Sequence, residues 1–319
     1  MTTYGYFLSS EEHRPDDLVR QAVLAEEAGF EALWISDHFH PWNDEQGQSP
    51  FVWSVIGAIA NATSLPITTA VTCPTVRIHP AIIAQAAATS ALLTGGRFQL
   101  GVGTGENLNE HVLGDRWPPI DVRLDMLEEA IEVMRALWTG EQVSHHGPHY
   151  TVENARLYSV PDQPVPVYVS GFGPRAVSLA ARVGDGYCGT SPEAELVGQY
   201  RDEGGSGPAQ AGVKVCWGPD RDQCVKTAHR LWGPNMVPGE SSQELPMPAH
   251  FEQAGALVTE DMVGEKFACG PDLQEHLDSL TEYREAGYDE IFVSQIGETS
   301  EEFFRFATDE LLPALRDQG

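Results

Sequence analysis

Residues 3–36 read TYGYFLSSEEHRPDDLVRQAVLAEEAGFEALWIS, and this single stretch carries a strand, a helix and a second strand. Thr3–Leu8 has the aromatic and aliphatic content of a buried strand. Arg14-Pro15-Asp16-Asp17 then opens a helix, because proline fits the first helical turn and acidic side chains oppose the positive end of the helix dipole. Leu18, Ala22, Ala25 and Ala28 place small and apolar groups on one face, and Gly29 ends it. The segment 31–36 reads as the next strand, so the unit is βαβ.

Working outward, the unit recurs. Residues 66–72 read as a strand, Pro80–Leu93 as a helix stopped by Gly95-Gly96, and Phe98–Val102 as a strand. Leu124, Leu127, Ile131, Met134 and Trp138 step by three and four along the following helix. Further strands are expected at 165–170, Gly186–Gly189, 213–217 and 290–294. Helices are expected at Pro174–Val183, through Arg230, at 272–286 and at 301–315. Strands alternating with helices, with no shift of composition at the midpoint, predict one α/β domain over 1–319, a (β/α)₈ TIM barrel. Two segments interrupt the repeat. Residues 141–162 contain HHGPHY, whose Gly147-Pro148 suits the tip of a hairpin. Residues 233–258 carry Pro234, Pro238, Pro246 and Pro248 and are too long for an ordinary connection, which suggests a lid or substrate loop.

The 319 residues hold 47 acidic and 19 basic side chains, a formal net charge of −28. That balance argues against nucleic acid and against an anionic membrane surface, since both need clustered cations. The cysteines Cys73, Cys188, Cys216, Cys224 and Cys269 are odd in number and form no CxxC pair, which favours reduced thiols. The N-terminus lacks the basic start and apolar run of a signal peptide, and no stretch approaches the ~18 apolar residues of a membrane span. A cytoplasmic protein acting on a small molecule is the expectation.

Chemistry in such barrels sits at the C-terminal ends of the strands. The second strand is followed by Asp37, His38, His40 and Trp42, the third by Cys73 and Thr75, the fourth by Thr104, Gly105, Glu106 and Asn109. The fifth is followed by SGFGPRA (170–176), the sixth by Thr190 and Ser191, the eighth by Gln295. His38 and Glu106 pair an imidazole with a carboxylate suited to proton transfer on loops that could face one pocket. The competing reading is that His38 and Asp37 only satisfy each other in a turn. His38-x-His40 could begin a metal site, but the later strands end in SGFG, GTS and SQIG and add no ligand, so no catalytic metal is expected. GVGTGE (101–106) fails as a dinucleotide fingerprint because Glu106 stands where a glycine is needed. In SGFGPRA, backbone N–H groups lead into a helix N-terminus and Arg175 adds charge, which suits a phosphate; a tight strand-to-helix turn is the alternative. Trp42 either stacks on a ligand or fills the core. His145, His146 and His149 read as solvated hairpin residues, and Phe303, Phe304 and Phe306 as packing.

Several motifs in order resemble the luciferase-like barrel oxidoreductases, and among them the branch that uses the deazaflavin coenzyme F420 and includes glucose-6-phosphate dehydrogenases. They are SDHFHPW (36–42), TCPTVRIHPAIIAQA (72–86), GVGTGENLNE (101–110), PVYVSGFGP (166–174) and GDGYCGTS (184–191). The resemblance runs nearly end to end. It implies that His38, Glu106 and Trp42 are catalytic, with His38 serving the proton on the substrate oxygen and Glu106 the proton at the deazaflavin N1. It implies coenzyme contacts from Asp37, Val71, Cys73, Thr104, Gly105, Asn109, Phe172, Gly173, Arg175 and Ala176. A cis peptide near Ala70-Val71 and a homodimer are implied as well. Thr190 and Glu193 fall on the substrate side. Glu193 stands where the glucose 6-phosphate enzymes have one phosphate-binding lysine, and the second falls near Val263, with Lys266 three residues later. A carboxylate repels a phosphate, so hydride exchange between F420 and an alcohol, hemiacetal or carbonyl is expected, with glucose 6-phosphate not the main substrate. A sugar-6-phosphate dehydrogenase, an FMN-dependent monooxygenase and a coenzyme carrier are the alternatives.

Overall fold

The computed structural model describes residues 2–237, 239, 241–298 and 301–318. In chain order it contains β1 (Thr3–Leu8), α1 (Pro15–Ala28), β2 (Leu33–Ile35), α2 (Val52–Ala62), β3 (Ile67–Thr69), α3 (Pro80–Leu93) and β4 (Phe98–Val102). Next come α4 (Asn107–Glu110), α5 (Ile120–Trp138), β5 (Val143–His146), β6 (Thr151–Ala155), β7 (Val167–Ser170), α6 (Pro174–Val183), β8 (Gly186–Gly189), α7 (Ala194–Asp202) and β9 (Ala209–Cys216). The remainder is α8 (Arg221–Trp232), α9 (Ser241–Glu244), α10 (Pro248–Gly255), α11 (Glu260–Lys266), β10 (Ala268–Cys269), α12 (Leu273–Glu285), β11 (Glu290–Gln295), α13 (Glu301–Phe306) and α14 (Leu312–Asp317).

The strands run β9-β11-β1-β2-β3-β4-β7-β8, and β8 pairs back onto β9, so eight parallel strands close the barrel that the sequence predicts. The short β10 pairs in parallel with the C-terminal end of β9. β5 and β6 form a separate antiparallel ribbon turning at Gly147-Pro148. Inside the barrel Trp34 stacks on Phe292 at 4.7 Å, and its Nε1 donates to Gln210 Oε1 at 2.9 Å. A second buried cluster, with Trp42, Leu108, Trp232, Phe251 and Ile296, sits where the C-terminal loops meet α8 and α10.

Helices with a proline start and a glycine stop lie where the sequence puts them, as in α3 and α6. Other boundaries differ. The ladder of β3 ends at Thr69, and the Ala70–Val71 peptide beyond it is cis, as the family resemblance implies. β9 begins four residues earlier than 213, at Ala209, because the small residues of AQAG pair with β11 and β8 despite weak strand propensity. The helix expected at 301–315 is broken by a π-helical turn at Ala307–Leu311, since Pro313 offers no N–H to the turn before it. Residues 233–258 are mostly helical rather than an open loop: Pro234 and Pro248 stand in first turns, where proline starts a helix. Pro238 and Glu240 of this segment lie outside the described residues.

Candidate functional site

The loop after β2 presents His38 toward the barrel mouth. Its Nδ1 donates to the His40 carbonyl at 3.2 Å, which leaves Nε2 as the nitrogen available for proton exchange. Trp42 is 9% exposed; its ring lies 5.0 Å from that of His38 and meets Phe251 edge-on at 5.1 Å. Core filling thus accounts for one edge of the indole, while another side faces His38.

Glu106 is half-buried at the start of α4, on the same end of the barrel and two strands away. Asn109 joins the two loops. Its Oδ1 accepts from the backbone N–H groups of Phe39 (2.9 Å) and His40 (3.1 Å), and its Nδ2 reaches Glu106 Oε2 at 3.4 Å. His40 Nδ1 adds a bond to the Leu108 carbonyl at 2.9 Å. The imidazole and the carboxylate are therefore carried by one hydrogen-bonded rim.

Asp37 does not pair with His38. It accepts from Thr72 Oγ1 at 2.8 Å and from Arg77 Nη2 at 3.1 Å, deep in the protein. Arg77 also donates its backbone N–H to Glu110 Oε2 at 2.7 Å, so one buried guanidinium ties the loops after β2, β3 and β4 together. Burial pushes the Glu110 carboxyl up to about 7 in spite of Arg77. Cys73 is buried, with Sγ 3.0 Å from Thr75 Oγ1, and burial raises its thiol well above the ordinary range. Gly105 adopts φ 74°, and a Cβ there would come within 2.5 Å of Cys73 Sγ, so only glycine fits. Thr104, half-buried, precedes it, and the half-buried Val71 lies against Gly103.

Phe172 is exposed, and beyond it Gly173 leaves open space where a Cβ would stand. α6 starts there with no side-chain cap on its first N–H groups. Ala176 lies in that first turn, and the Arg175 guanidinium pairs with Asp121 of α5. Thr190 and Glu193 are exposed after β8, whereas Val263 is fully buried in α11.

Three site groups escaped the sequence reading, which considered neither the loop after the first strand nor the inward face of the seventh. Glu11 Oε1 lies 3.5 Å from His38 Nε2, while Glu11 Oε2 accepts from Ser36 Oγ at 2.7 Å and Ser9 Oγ at 3.0 Å. Burial pushes Glu11 up, but His38, Lys214 and the Ser36 hydroxyl outweigh it and hold the carboxyl below its usual range. Glu12 accepts from Trp232 Nε1 and from the Gly297 N–H, both at 2.7 Å, and burial raises it to about 7. The third is Lys214, a charged residue within the otherwise apolar run GVKVC, a signal that could have found it.

A closed parallel barrel whose C-terminal rim joins an imidazole, a carboxylate and glycine-rich loops is the frame of a cofactor-dependent enzyme. The model of the luciferase-like monooxygenase family matches residues 2–290, and the chain belongs to that family. It is 35% identical to an F420-dependent glucose-6-phosphate dehydrogenase of Microbacterium testaceum, over 98% of this chain and 97% of that protein. A homologue of the same name from Amycolatopsis mediterranei is also 35% identical, over the full length of both. Among solved structures, an F420-dependent secondary alcohol dehydrogenase in complex with an F420-acetone adduct superposes with a TM-score of 0.90 at 33% identity, over 99% of both chains. The F420-dependent tetrahydromethanopterin reductase of Methanopyrus kandleri (TM-score 0.76, 21% identity) shares the fold.

Proposed function

We propose that this chain is a coenzyme F420-dependent oxidoreductase acting on an uncharged secondary alcohol or hemiacetal, or on the matching carbonyl in reverse. The observation that carries it is the Asn109 bridge, which holds the His38 and Glu106 loops on one rim. Full-length similarity to F420-dependent dehydrogenases supports the coenzyme. Glu193, an exposed carboxylate where a phosphate-binding lysine would be needed, speaks against a phosphorylated sugar.

The residues present fit a ring system with an anionic tail. Gly103 and Gly105 keep side chains off the β4 loop, and the uncapped start of α6, with open space at Gly173, suits a phosphate. Asp37, Val71, Cys73, Thr104, Gly105, Asn109, Phe172, Gly173, Arg175 and Ala176 are the residues assigned to hold it, Asp37 and Cys73 from behind. When bound, the coenzyme supplies the hydride acceptor or donor. His38 Nε2 takes the hydroxyl proton as the alcohol is oxidised and returns it on reduction. Glu11 faces that nitrogen and stabilises the imidazolium. Glu106 serves the proton at ring N1, and Trp42 keeps water from the reacting face. Thr190 and Glu193 border the substrate.

The reading extends to a homodimer. Phe51, Ile82, Leu92 and Leu93 leave large apolar side chains exposed around α2 and α3, two helices that carry no charged side chain in an otherwise strongly acidic protein. The direct test is purified protein mixed with F420 and a panel of alcohols, followed by coenzyme absorbance with and without oxygen. Oxygen-insensitive reduction of F420 by a neutral alcohol is expected. Oxygen consumption with reduced FMN, or activity confined to glucose 6-phosphate, would displace this reading.

A further inference from the structure

Lys214 points from β9 into the barrel mouth, and aromatic rings box its ammonium. Nζ is 3.7 Å from the Trp232 ring centroid and 4.7 Å from that of Phe7. Among the described residues it makes only these ring contacts and longer-range attractions to Glu11 and Glu12; no hydrogen-bond acceptor is engaged. Both carboxylates are already held, Glu11 by Ser9, Ser36 and His38, and Glu12 by Trp232 and Gly297. The register partner of Lys214 on β11 is Ser294, whose Oγ is buried and has no hydrogen-bond partner. Register partners of a parallel pair project to the same face, so the two side chains leave their strands side by side, with the Ser294 hydroxyl at the foot of the Lys214 stem. Protein interiors rarely leave such groups unsatisfied, and those that do are commonly completed by a ligand or an ordered water.

We propose that Lys214 and Ser294 form a subsite for a second, uncharged oxygen of the substrate, which makes vicinal diols and α-hydroxy ketones the preferred substrates over simple alcohols. Lys214 and His38 both act on the Glu11 carboxylate, which gathers the two side chains around one residue. The charge balance selects the class. An anion would bring a further negative charge beside Glu11 and Glu12 against one ammonium, whereas a hydroxyl accepts from Nζ without that repulsion. The inference rests on the dehydrogenase reading and narrows it.

Lys214, Lys226 and Lys266 are the only lysines, and the last two are exposed. A K226R/K266R chain therefore reports Lys214 alone. In that chain, labelled with ¹⁵N at lysine and loaded with F420, propane-1,2-diol should shift the Nζ resonance saturably, and propan-2-ol should not. No shift, or equal shifts with both, overturns the subsite, and this readout does not depend on turnover. In steady state, S294A should lower kcat/KM for the diol about fivefold, chiefly through KM, the loss expected for one hydrogen bond, while propan-2-ol changes less than about twofold. Equal losses for both substrates overturn the inference. Failure of the parent enzyme to reduce F420 with any alcohol counts against the dehydrogenase reading alone, and the resonance then still decides the subsite.

Discussion

Glu11 Oε1 faces His38 Nε2 at 3.5 Å, so the nitrogen assigned to the substrate proton has a buried carboxylate behind it. The separation is long for a hydrogen bond, which steers the ring without immobilising Nε2. E11Q keeps the shape and removes the charge that stabilises an imidazolium. Turnover should fall by roughly tenfold to 10²-fold, below the full contribution of a positioned acid or base. F420 affinity, measured by fluorescence titration, should stay within about threefold.

Asn109 supplies the acceptor for two backbone amides of the His38 loop. N109A leaves both N–H groups without it, at a cost of about 1–3 kcal/mol. Thermal unfolding should move down by several degrees, and turnover should drop with it because the loops carrying His38 and Glu106 lose their common anchor. An unchanged melting temperature would show that the bridge carries no load.

Glu12 titrates near 7 in the folded chain, well above an ordinary glutamate, because burial disfavours its charged form. A raised carboxyl binds its proton more tightly in the folded state. Its contribution to stability is therefore present below about pH 4.5 and lost as pH rises through 7. E12Q removes that dependence. The stability deficit of E12Q relative to the parent should shrink between pH 5 and pH 8, as read from denaturant melts at both values. A deficit that stays constant would place Glu12 outside this linkage.

Ile82 is 56% exposed on the apolar face around α2 and α3. If two copies meet there, I82E places a buried charge on each side of the contact. Sedimentation should then change from dimer to monomer with little loss of secondary structure.

The barrel was legible because its local signals agree with its global form. Proline at the start of Pro80–Leu93 and Pro174–Val183, and alternation of strand with helix, are properties of short windows. α2 was missed although Val52, Val55, Ile56 and Ile59 repeat at helical spacing, because VWSVIGAIANA has neither a capping side chain at its start nor a glycine stop. His38, Trp42 and Glu106 could be singled out because they follow strands and sit in recognisable motifs. Glu11 could not, because its meaning comes from Ser36 and His38, brought to it by the closing of the barrel. Cys216, Cys224 and Cys269 show the same limit: separated along the chain, they share one buried cluster with Trp42.

The central claim is that His38 and Glu106 act on one bound coenzyme and its substrate. Single-turnover reduction of F420 by a secondary alcohol, compared among the parent, H38A and E106Q, tests it most directly. Both variants should bind F420 within about threefold of the parent yet reduce it at least 10²-fold more slowly, the loss expected for a missing proton-transfer group. Parent-like reduction rates in either variant, with the coenzyme bound, would contradict the account.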